Sequence, residues 1–350
     1  MRVERVRLAQ PRGFCAGVEM AIKALSWMVR VFEGPVYCYH EIVHNRIVVE
    51  AFEELGVIFV DDVSEVPPRA PLMLSAHGSA PEVERAAAEE DRIVVDACCP
   101  LVTKVHHEMK VRARKGYTVI YVGHEGHEEA IGTMAVAPEA VRLVQHDEDV
   151  DGLEIEAGEP VAMLAQTTLA HDEWSGIVEA AKARFPEVWM PGRSDLCYAT
   201  TNRQAAMRAL APTCDAVVVI GSANSSNTVS LAKTASASGC ARVLRINSLG
   251  ELPDDLGGTV GVTAGASAPE WLVAEVLDRL APVHGVEIVH VTDEDEYFPP
   301  PPELRDLLRV TGEAAAVLVG GPRSESPPTA SDRTVAAATV LGRPGLAQIS

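Results

Sequence analysis

Three cysteines lie at corresponding places along this 350-residue chain, and each opens a stretch whose apolar residues have helical spacing. They are Cys15 in PRGFCAGV, Cys99 in DACCPLVTKV and Cys197 in DLCYATTNRQ. A first polar turn follows each cysteine after 28 or 29 residues. A second polar turn follows each first turn after a further 33 to 42 residues. The spacing predicts an internal threefold repeat that could bring three thiolates together.

The polar turns supply candidate ligand-binding residues. The first turns contain His44, His127 and Ser225, and the second turns contain His77, Thr167 and Ser267. Several turns directly follow apolar runs, as in LMLSAHG, VIYVGHEGH, VAMLAQTT, VVVIGSANSSN and VGVTAGAS. In open α/β sheets, ligands bind outside the carboxyl ends of the strands. The turns are therefore where we expect the site.

Apolar runs alternate with helical patterns along most of the chain, which is typical of βαβ units with parallel sheets. We predict an α/β protein of three similar lobes with mostly parallel sheets, arranged with pseudo-threefold symmetry around a central metal centre. The predicted lobes are residues 1–98, 99–196 and 197–297. Residues 298–350 lack sustained periodicity, and we expect an appended C-terminal extension that is partly disordered.

Composition excludes several classes of partner. The formal net charge is −20, from 50 acidic and 30 basic residues, which argues against nucleic acid and anionic membranes as partners. The N-terminus lacks the apolar segment of a signal peptide, and no run of 18 apolar residues occurs, so we expect a cytoplasmic protein. An odd total of seven cysteines favours metal binding or catalysis over a disulfide framework.

The three repeated cysteines favour an iron–sulfur cluster over zinc. Three thiolates do not complete a tetrahedral zinc site, and the repeat marks no single histidine as a fourth ligand. They do suit a 4Fe-4S cubane with three irons anchored and the fourth open to substrate. A helix N-terminus favours the thiolate form that a metal requires. The remaining cysteines are predicted to be core thiols: Cys38, Cys98, Cys214 and Cys240.

Histidine and serine side chains in the polar turns suit phosphate oxygens. The set contains His44, His77, His127, Ser225, Ser226, Asn227 and Ser267. No GxxxxGK[ST] motif is present, so a nucleotide P-loop is not expected.

Glu129 lies two residues after His127 and is a candidate acid, with Thr167 in AQTTL as a possible neighbour. An ordinary carboxylate at a helix N-terminus is the other interpretation. Burial beside a histidine and a hydroxyl can raise a carboxyl pKa into the range where it relays protons. The sequence leaves both interpretations open.

At these residues the chain closely resembles the IspH/LytB family, the 4-hydroxy-3-methylbut-2-enyl diphosphate reductases of the non-mevalonate (MEP) isoprenoid pathway. The resemblance covers roughly residues 5–310. It rests on PRGFCAGV, HEIVHNR, SAHG, DACCPLVTKVH, GHEGHEEAIGTM, QTTL, CYATTNRQ, GSANSSN and GVTAGASAP. Where family members commonly have lysine, histidine–proline–glutamate and threonine, this chain has Ala223, His127-Glu128-Glu129 and Cys98. Cys99 matches the family motif because it directly precedes Pro100.

The resemblance implies a 4Fe-4S cluster with three cysteine ligands and an open fourth iron, held by Cys15, Cys99 and Cys197. It implies a diphosphate grip by His44, His77, His127, Ser225, Ser226, Asn227 and Ser267. Glu129, Thr167 and His127 would form the catalytic group, and Thr167 would also bind the substrate. The implied reaction is a two-electron, two-proton reductive dehydroxylation to isopentenyl and dimethylallyl diphosphate, with ferredoxin or flavodoxin as electron donor.

A sensor that binds a metal or cluster without turnover is the alternative function. Such a protein would keep the thiolates and lack both the acid and the anion pocket. The sequence predicts both an acid and an anion pocket, which favours the enzyme.

Overall fold

The computed structural model describes residues 2–156, 158–318 and 332–341. The chain divides into two compact units, which we describe separately. The larger unit comprises Met1–Phe14, His77–Pro81 and Pro100–Glu294. The smaller unit comprises Cys15–Ala76, Glu82–Cys99 and Asp295–Ser350.

Strands and helices alternate along the described chain, as the sequence predicts. The strands are β1 (Val3–Gln10), β2 (Tyr37–Tyr39), β3 (Ile58–Val60), β4 (Pro71–Leu74), β5 (Ile93–Asp96), β6 (Thr118–Val122), β7 (Val141–Val144), β8 (Val161–Ala165), β9 (Ala216–Ile220), β10 (Val243–Ile246), β11 (Gly258–Ala264) and β12 (Val286–His290). The helices are α1 (Ala16–Val31), α2 (Arg46–Glu54), α3 (Pro81–Ala87), α4 (Pro100–Arg114), α5 (Glu128–Ala135), α6 (His171–Arg184), α7 (Tyr198–Leu210), α8 (Ser226–Ala237), α9 (Glu270–Leu280), α10 (Pro302–Leu318) and α11 (Ala337–Val340).

The larger unit contains two parallel sheets. One has the strand order β10-β9-β11-β1-β12, and the other has the order β7-β6-β8. Every residue of β8 and β9 is buried, as expected for parallel strands covered on both faces. In β6, alternate residues enter two different cores: Val119 and Tyr121 pack in one, and Ile120 and Val122 in the other.

The smaller unit is built on one parallel sheet with the order β3-β2-β4-β5. One of its cores gathers the β4 residues Leu72 and Leu74 with Val60 and Ala87. The parallel sheets of both units confirm the predicted α/β class. The lobe boundaries at residues 98, 196 and 297 stay predictions.

Two features of the chain ends were not foreseen. β1 pairs with β11 and β12, so the first strand joins strands from the third predicted lobe. Part of the predicted C-terminal extension is helical, because α10 spans Pro302–Leu318 and begins with proline at its first position. The sequence predicts that the extension of residues 298–350 is partly disordered, and residues 319–331 and 342–350 of this extension lie outside the described part of the chain. Among the helices that are described, none has the length and apolar character needed to span a membrane.

Candidate active site

Glu129 is a buried carboxylate on α5 of the larger unit. Its side chain is held by the turn that follows β8: Oε1 accepts from the Thr167 N–H at 2.7 Å, and Oε2 accepts from the Thr167 hydroxyl at 3.0 Å. Only 3% of Glu129 is exposed. Burial raises its pKa to about 7, although both hydrogen bonds from Thr167 lower it. A carboxyl group with this pKa can give and accept a proton near neutrality.

Thr167 also contacts the cysteine that begins α7. Its carbonyl oxygen accepts from the Cys197 N–H at 2.8 Å, and Cys197 is the N-cap residue of that helix. One residue therefore binds the candidate acid through its N–H and hydroxyl, and the cysteine segment through its carbonyl. This brings together three residues that the sequence placed in one site.

Asp195 secures the segment before Cys197. Its Oδ1 atom accepts from Lys104 Nζ at 3.1 Å, and its Oδ2 atom accepts from the Ala165 N–H at 3.3 Å. Asp195 is buried, which raises the pKa of its carboxyl group. Sequence reasoning missed Asp195 and Lys104, since their pairing spans 91 residues and no motif marks either of them.

His127 is the N-cap residue of α5, and its geometry fixes the tautomer. Nδ1 accepts from the Glu129 N–H at 3.1 Å, so the ring proton lies on Nε2. The His77 ring lies 6.5 Å from the His127 ring, centroid to centroid, and its Nδ1 is 2.7 Å from a Glu128 carboxylate oxygen. Glu128, to which the sequence analysis gave no role, therefore lies within ion-pair distance of His77.

The turns after β8 and β9 contact each other. Gln166 Nε2 donates to Ser226 Oγ at 3.4 Å and to Thr168 Oγ1 at 2.8 Å. Ser225 is the N-cap residue of α8, where its hydroxyl accepts from the Thr228 N–H. Gln166 belongs to the quoted QTTL motif but was not singled out; its side chain becomes informative only when the partner turn is known.

Asn227 joins the turns after β9 and β11. Its Oδ1 atom accepts from the Ala266 N–H at 2.8 Å, and its Nδ2 atom donates to Thr200 Oγ1 at 3.3 Å. The neighbouring Ser267 is buried. Asn227 thus holds two predicted turns together, and an amide nitrogen has a second proton for a ligand.

The smaller unit contains Cys15, Cys99 and His44. A methyl group built on Gly17 would lie 2.8 Å from Cys99 Sγ and 3.9 Å from Cys15 Sγ. Both sulfur atoms therefore border the space that the missing Gly17 side chain leaves open. His44 Nδ1 lies 3.4 Å from a Glu41 carboxylate oxygen.

The sulfur that lies with Cys15 belongs to Cys99. The neighbouring Cys98 Sγ instead donates to the Cys99 carbonyl oxygen at 3.7 Å, and the Cys98 N–H donates to the Asp96 carboxylate at 2.9 Å. This geometry supports Cys99 over Cys98 as the candidate ligand. Two thiols around an open space are a donor set that suits iron and inorganic sulfide.

Three other cysteines lie among apolar residues or backbone carbonyls. Cys38 is fully buried in β2, and Cys240 is buried in the core beside α8. Cys214 donates to the Leu210 carbonyl at 3.3 Å, and burial raises its pKa to about 11. A thiol with such a pKa remains protonated at neutral pH and is a poor metal ligand.

Comparison with known proteins identifies the family of this chain. The family model for the LytB protein matches residues 6–281. The 4-hydroxy-3-methylbut-2-enyl diphosphate reductase of Rhodopirellula baltica is 46% identical over 308 residues, which are 86% of this chain and 96% of that protein. The 4-hydroxy-3-methylbut-2-enyl diphosphate reductase of Mycolicibacterium paratuberculosis is also 46% identical, and the match covers 86% of this chain and 92% of that protein.

A solved structure agrees in fold. The E-1-hydroxy-2-methyl-but-2-enyl-4-diphosphate reductase of Plasmodium falciparum superposes with a TM-score of 0.85 at 31% identity, covering 89% of this chain and 99% of that chain. These matches confirm the resemblance seen in the motifs. The chain belongs to the LytB protein family.

Proposed function

We propose that this chain is a 4-hydroxy-3-methylbut-2-enyl diphosphate reductase. The reaction takes an allylic alcohol, two electrons and two protons, breaks the carbon–oxygen bond, and releases water with isopentenyl or dimethylallyl diphosphate. The observation that carries this proposal is the buried Glu129 with a pKa of about 7, bound to the same Thr167 that contacts Cys197. A proton donor is thereby linked to a candidate cluster ligand.

The family is known to use an iron–sulfur cluster, and we propose a 4Fe-4S cluster with Cys15, Cys99 and Cys197 as its ligands. The thiols of Cys15 and Cys99 beside Gly17, and the position of Cys197 at a helix N-terminus, fit this donor set. When bound, the cluster supplies electrons and polarises the carbon–oxygen bond through its open iron.

Glu129 is proposed to deliver the protons that the reaction consumes. Loss of water requires a proton on the departing hydroxyl oxygen, and reduction of the allyl group requires a second proton on carbon. Glu129 is protonated below its pKa of about 7 and is oriented by two hydrogen bonds from Thr167. The Thr167 hydroxyl can also hydrogen-bond the substrate hydroxyl, because a hydroxyl group donates one proton and accepts two.

The diphosphate is proposed to bind through local donors, since the chain as a whole carries a formal charge of −20. His127 offers an Nε2–H group, and the His77 ring lies beside the Glu128 carboxylate. The remaining proposed donors are His44, Ser225, Ser226, Asn227 and Ser267. Hydrogen bonds to charged phosphate oxygens are stronger than those between neutral groups.

The electrons are proposed to come from a ferredoxin or flavodoxin, the donor that the resemblance to the IspH/LytB family implies. The predicted cytoplasmic location fits such small carriers and stays a prediction.

The alternative, a sensor without turnover, is disfavoured by Glu129 and its two donors from Thr167. Anaerobic purification followed by assay distinguishes the two functions. We expect about four irons per chain, as one cubane requires, and reductant-dependent consumption of the allylic diphosphate. A protein that binds its cluster and leaves this substrate unchanged would support the sensor.

A further inference from the structure

Residues 332–341 return to the smaller unit and pack against α1; we refer to this segment as the C-terminal strap. The family match ends at residue 281, well before the strap. Ala337, Ala338 and Leu341 of the strap are buried. The strap therefore belongs to the folded part of the smaller unit, in a region that the family model does not match.

A buried ion pair fastens the strap to α1. Lys23 Nζ donates to the Asp332 carbonyl oxygen at 3.0 Å and lies 3.8 Å from the Asp332 carboxylate. Lys23 is only 5% exposed and Asp332 only 6%. Buried charges of this kind persist when they are paired and hydrogen-bonded. Here Tyr297 completes the set, because its hydroxyl donates to Asp332 Oδ2 at 3.1 Å.

Glu19 connects this hydrogen-bond network to the first turn of α1. Its Oε2 atom lies 3.3 Å from Lys23 Nζ and accepts from the Ala337 N–H of the strap at 2.8 Å. The Glu19 N–H in turn donates to the Cys15 carbonyl oxygen at 2.9 Å. The strap therefore contacts the helical turn that begins at Cys15.

We propose that the C-terminal strap is a positioning element for Cys15. By binding Lys23 and Glu19, the strap holds the first two turns of α1 in place and keeps the Cys15 thiol beside that of Cys99. The strap acts through α1 and touches no reacting atom in this account. A role of the strap in catalysis rests on the proposed function, in which Cys15 is a cluster ligand. The effect of the strap on the position of the Cys15 thiol can be measured in protein that carries no cluster.

The test compares three variants of the full-length, metal-free protein: Asp332→Ala, Lys23→Met and Arg333→Ala. Arg333 is the matched control, because it also lies on the strap but its guanidinium pairs with the exposed Asp295 at 3.1 Å. Iodoacetamide labelling of Cys15 is followed by mass spectrometry, with Cys197 of the larger unit as the internal reference. Hydrogen exchange of the α1 amides is measured in parallel.

We expect Asp332→Ala and Lys23→Met each to raise the Cys15 labelling rate by about tenfold, since breaking a buried pair favours local opening. The labelling rate of Cys197 should stay the same in both variants. In the Arg333→Ala protein, the labelling rate of Cys15 should equal that of the unaltered protein. In the double variant Asp332→Ala with Lys23→Met, Cys15 should be labelled at most about twofold faster than in the faster of the two single variants. The reason is that the effects of substituting two contacting residues are not additive.

Faster hydrogen exchange in α1 without faster Cys15 labelling would overturn the positioning role, as would equal effects of Asp332→Ala and Arg333→Ala. A second experiment measures iron release to a chelator under anaerobic conditions after reconstitution. Faster release from Asp332→Ala supports the proposal. If the unaltered protein takes up no cluster, the proposed function fails, and the labelling result still decides whether the strap positions Cys15.

Discussion

At the scale of single residues, the environment of Glu129 determines what the site can do. Burial raises the pKa of this carboxyl group, and Thr167 partly offsets the increase by donating two hydrogen bonds. Neither effect could be read from the sequence, which left Glu129 equally compatible with an ordinary helix N-terminus. The structure distinguishes it from Glu128, which pairs with His77 instead.

Replacement of Glu129 by glutamine should lower kcat by roughly 10²–10⁴-fold, the usual contribution of general acid catalysis. The amide has nearly the same shape, so the iron content should be unchanged. Glu125→Gln is the matched control, because Glu125 lies exposed in the same motif. Turnover and iron content are measured for both proteins. An active Glu129→Gln enzyme would rule out the assigned role.

The pH dependence of kcat should report the titration of Glu129. Glu129 must be protonated to act as an acid, so kcat should fall as the pH rises through about 7. The Thr167 hydroxyl lowers the Glu129 pKa, so Thr167→Val should move this falling limb to higher pH. The measurement is kcat against pH with saturating substrate. A limb that stays in place or moves to lower pH would contradict the hydrogen-bond assignment.

At the scale of helices and strands, the start of α1 shows how a backbone position shapes the site. Gly17 leaves open the space between the thiols of Cys15 and Cys99. The sequence motif contains this glycine, but its purpose depends on Cys99, which is distant in the chain. Only the folded structure relates the two.

A methyl group at residue 17 should therefore exclude the cluster. Alanine is favoured over glycine in a helix by up to about 1 kcal/mol, which offsets part of the cost of moving the Cys99 side chain away from the new methyl, so Gly17→Ala should still fold. Iron content after anaerobic reconstitution should nevertheless fall, because the new methyl would lie 2.8 Å from Cys99 Sγ. Gly34→Ala is the control, since Gly34 has no neighbour within 4 Å of that position. Full iron content in Gly17→Ala would refute this interpretation.

The cysteines should separate into two groups. Cys197→Ser is expected to lose iron, because Cys197 begins α7 beside Thr167. Cys38→Ser, Cys214→Ser and Cys240→Ser should retain iron, because these thiols are packed in cores or bound to backbone carbonyls. Iron is measured per folded chain, with circular dichroism as the check on folding. Equal loss in both groups would show that the thiols are sorted wrongly.

Sequence patterns predicted the parallel sheets and the polar turns at strand ends, because apolar runs and turn residues are local signals. They could not predict that β1 pairs with β11 and β12, since hydrophobic periodicity does not identify a strand's partner. The Asp195–Lys104 pair and the contact between Lys23 and Asp332 were missed for a related reason. Both depend on residues far apart in the chain and on burial that only the fold creates.

At the scale of the whole molecule, the protein is acidic, and the proposed substrate is an anion that a few local donors would bind. Its formal charge of −20 would repel a diphosphate at long range, so binding must depend on short hydrogen bonds from the proposed histidines and serines. The two described units each hold part of the predicted residue set, with Glu129 and Thr167 in the larger and Cys15 and Cys99 in the smaller. The predicted residue set is therefore divided between the two units.

The most direct test of the central claim is an anaerobic assay of the reconstituted full-length protein. The assay supplies (E)-4-hydroxy-3-methylbut-2-enyl diphosphate and a one-electron chemical reductant, and it measures both the products and the electrons consumed. We expect isopentenyl and dimethylallyl diphosphate, with two electrons used for each product molecule and almost no turnover by Glu129→Gln. A cluster-loaded protein that consumes no electrons in the presence of this substrate would contradict the account.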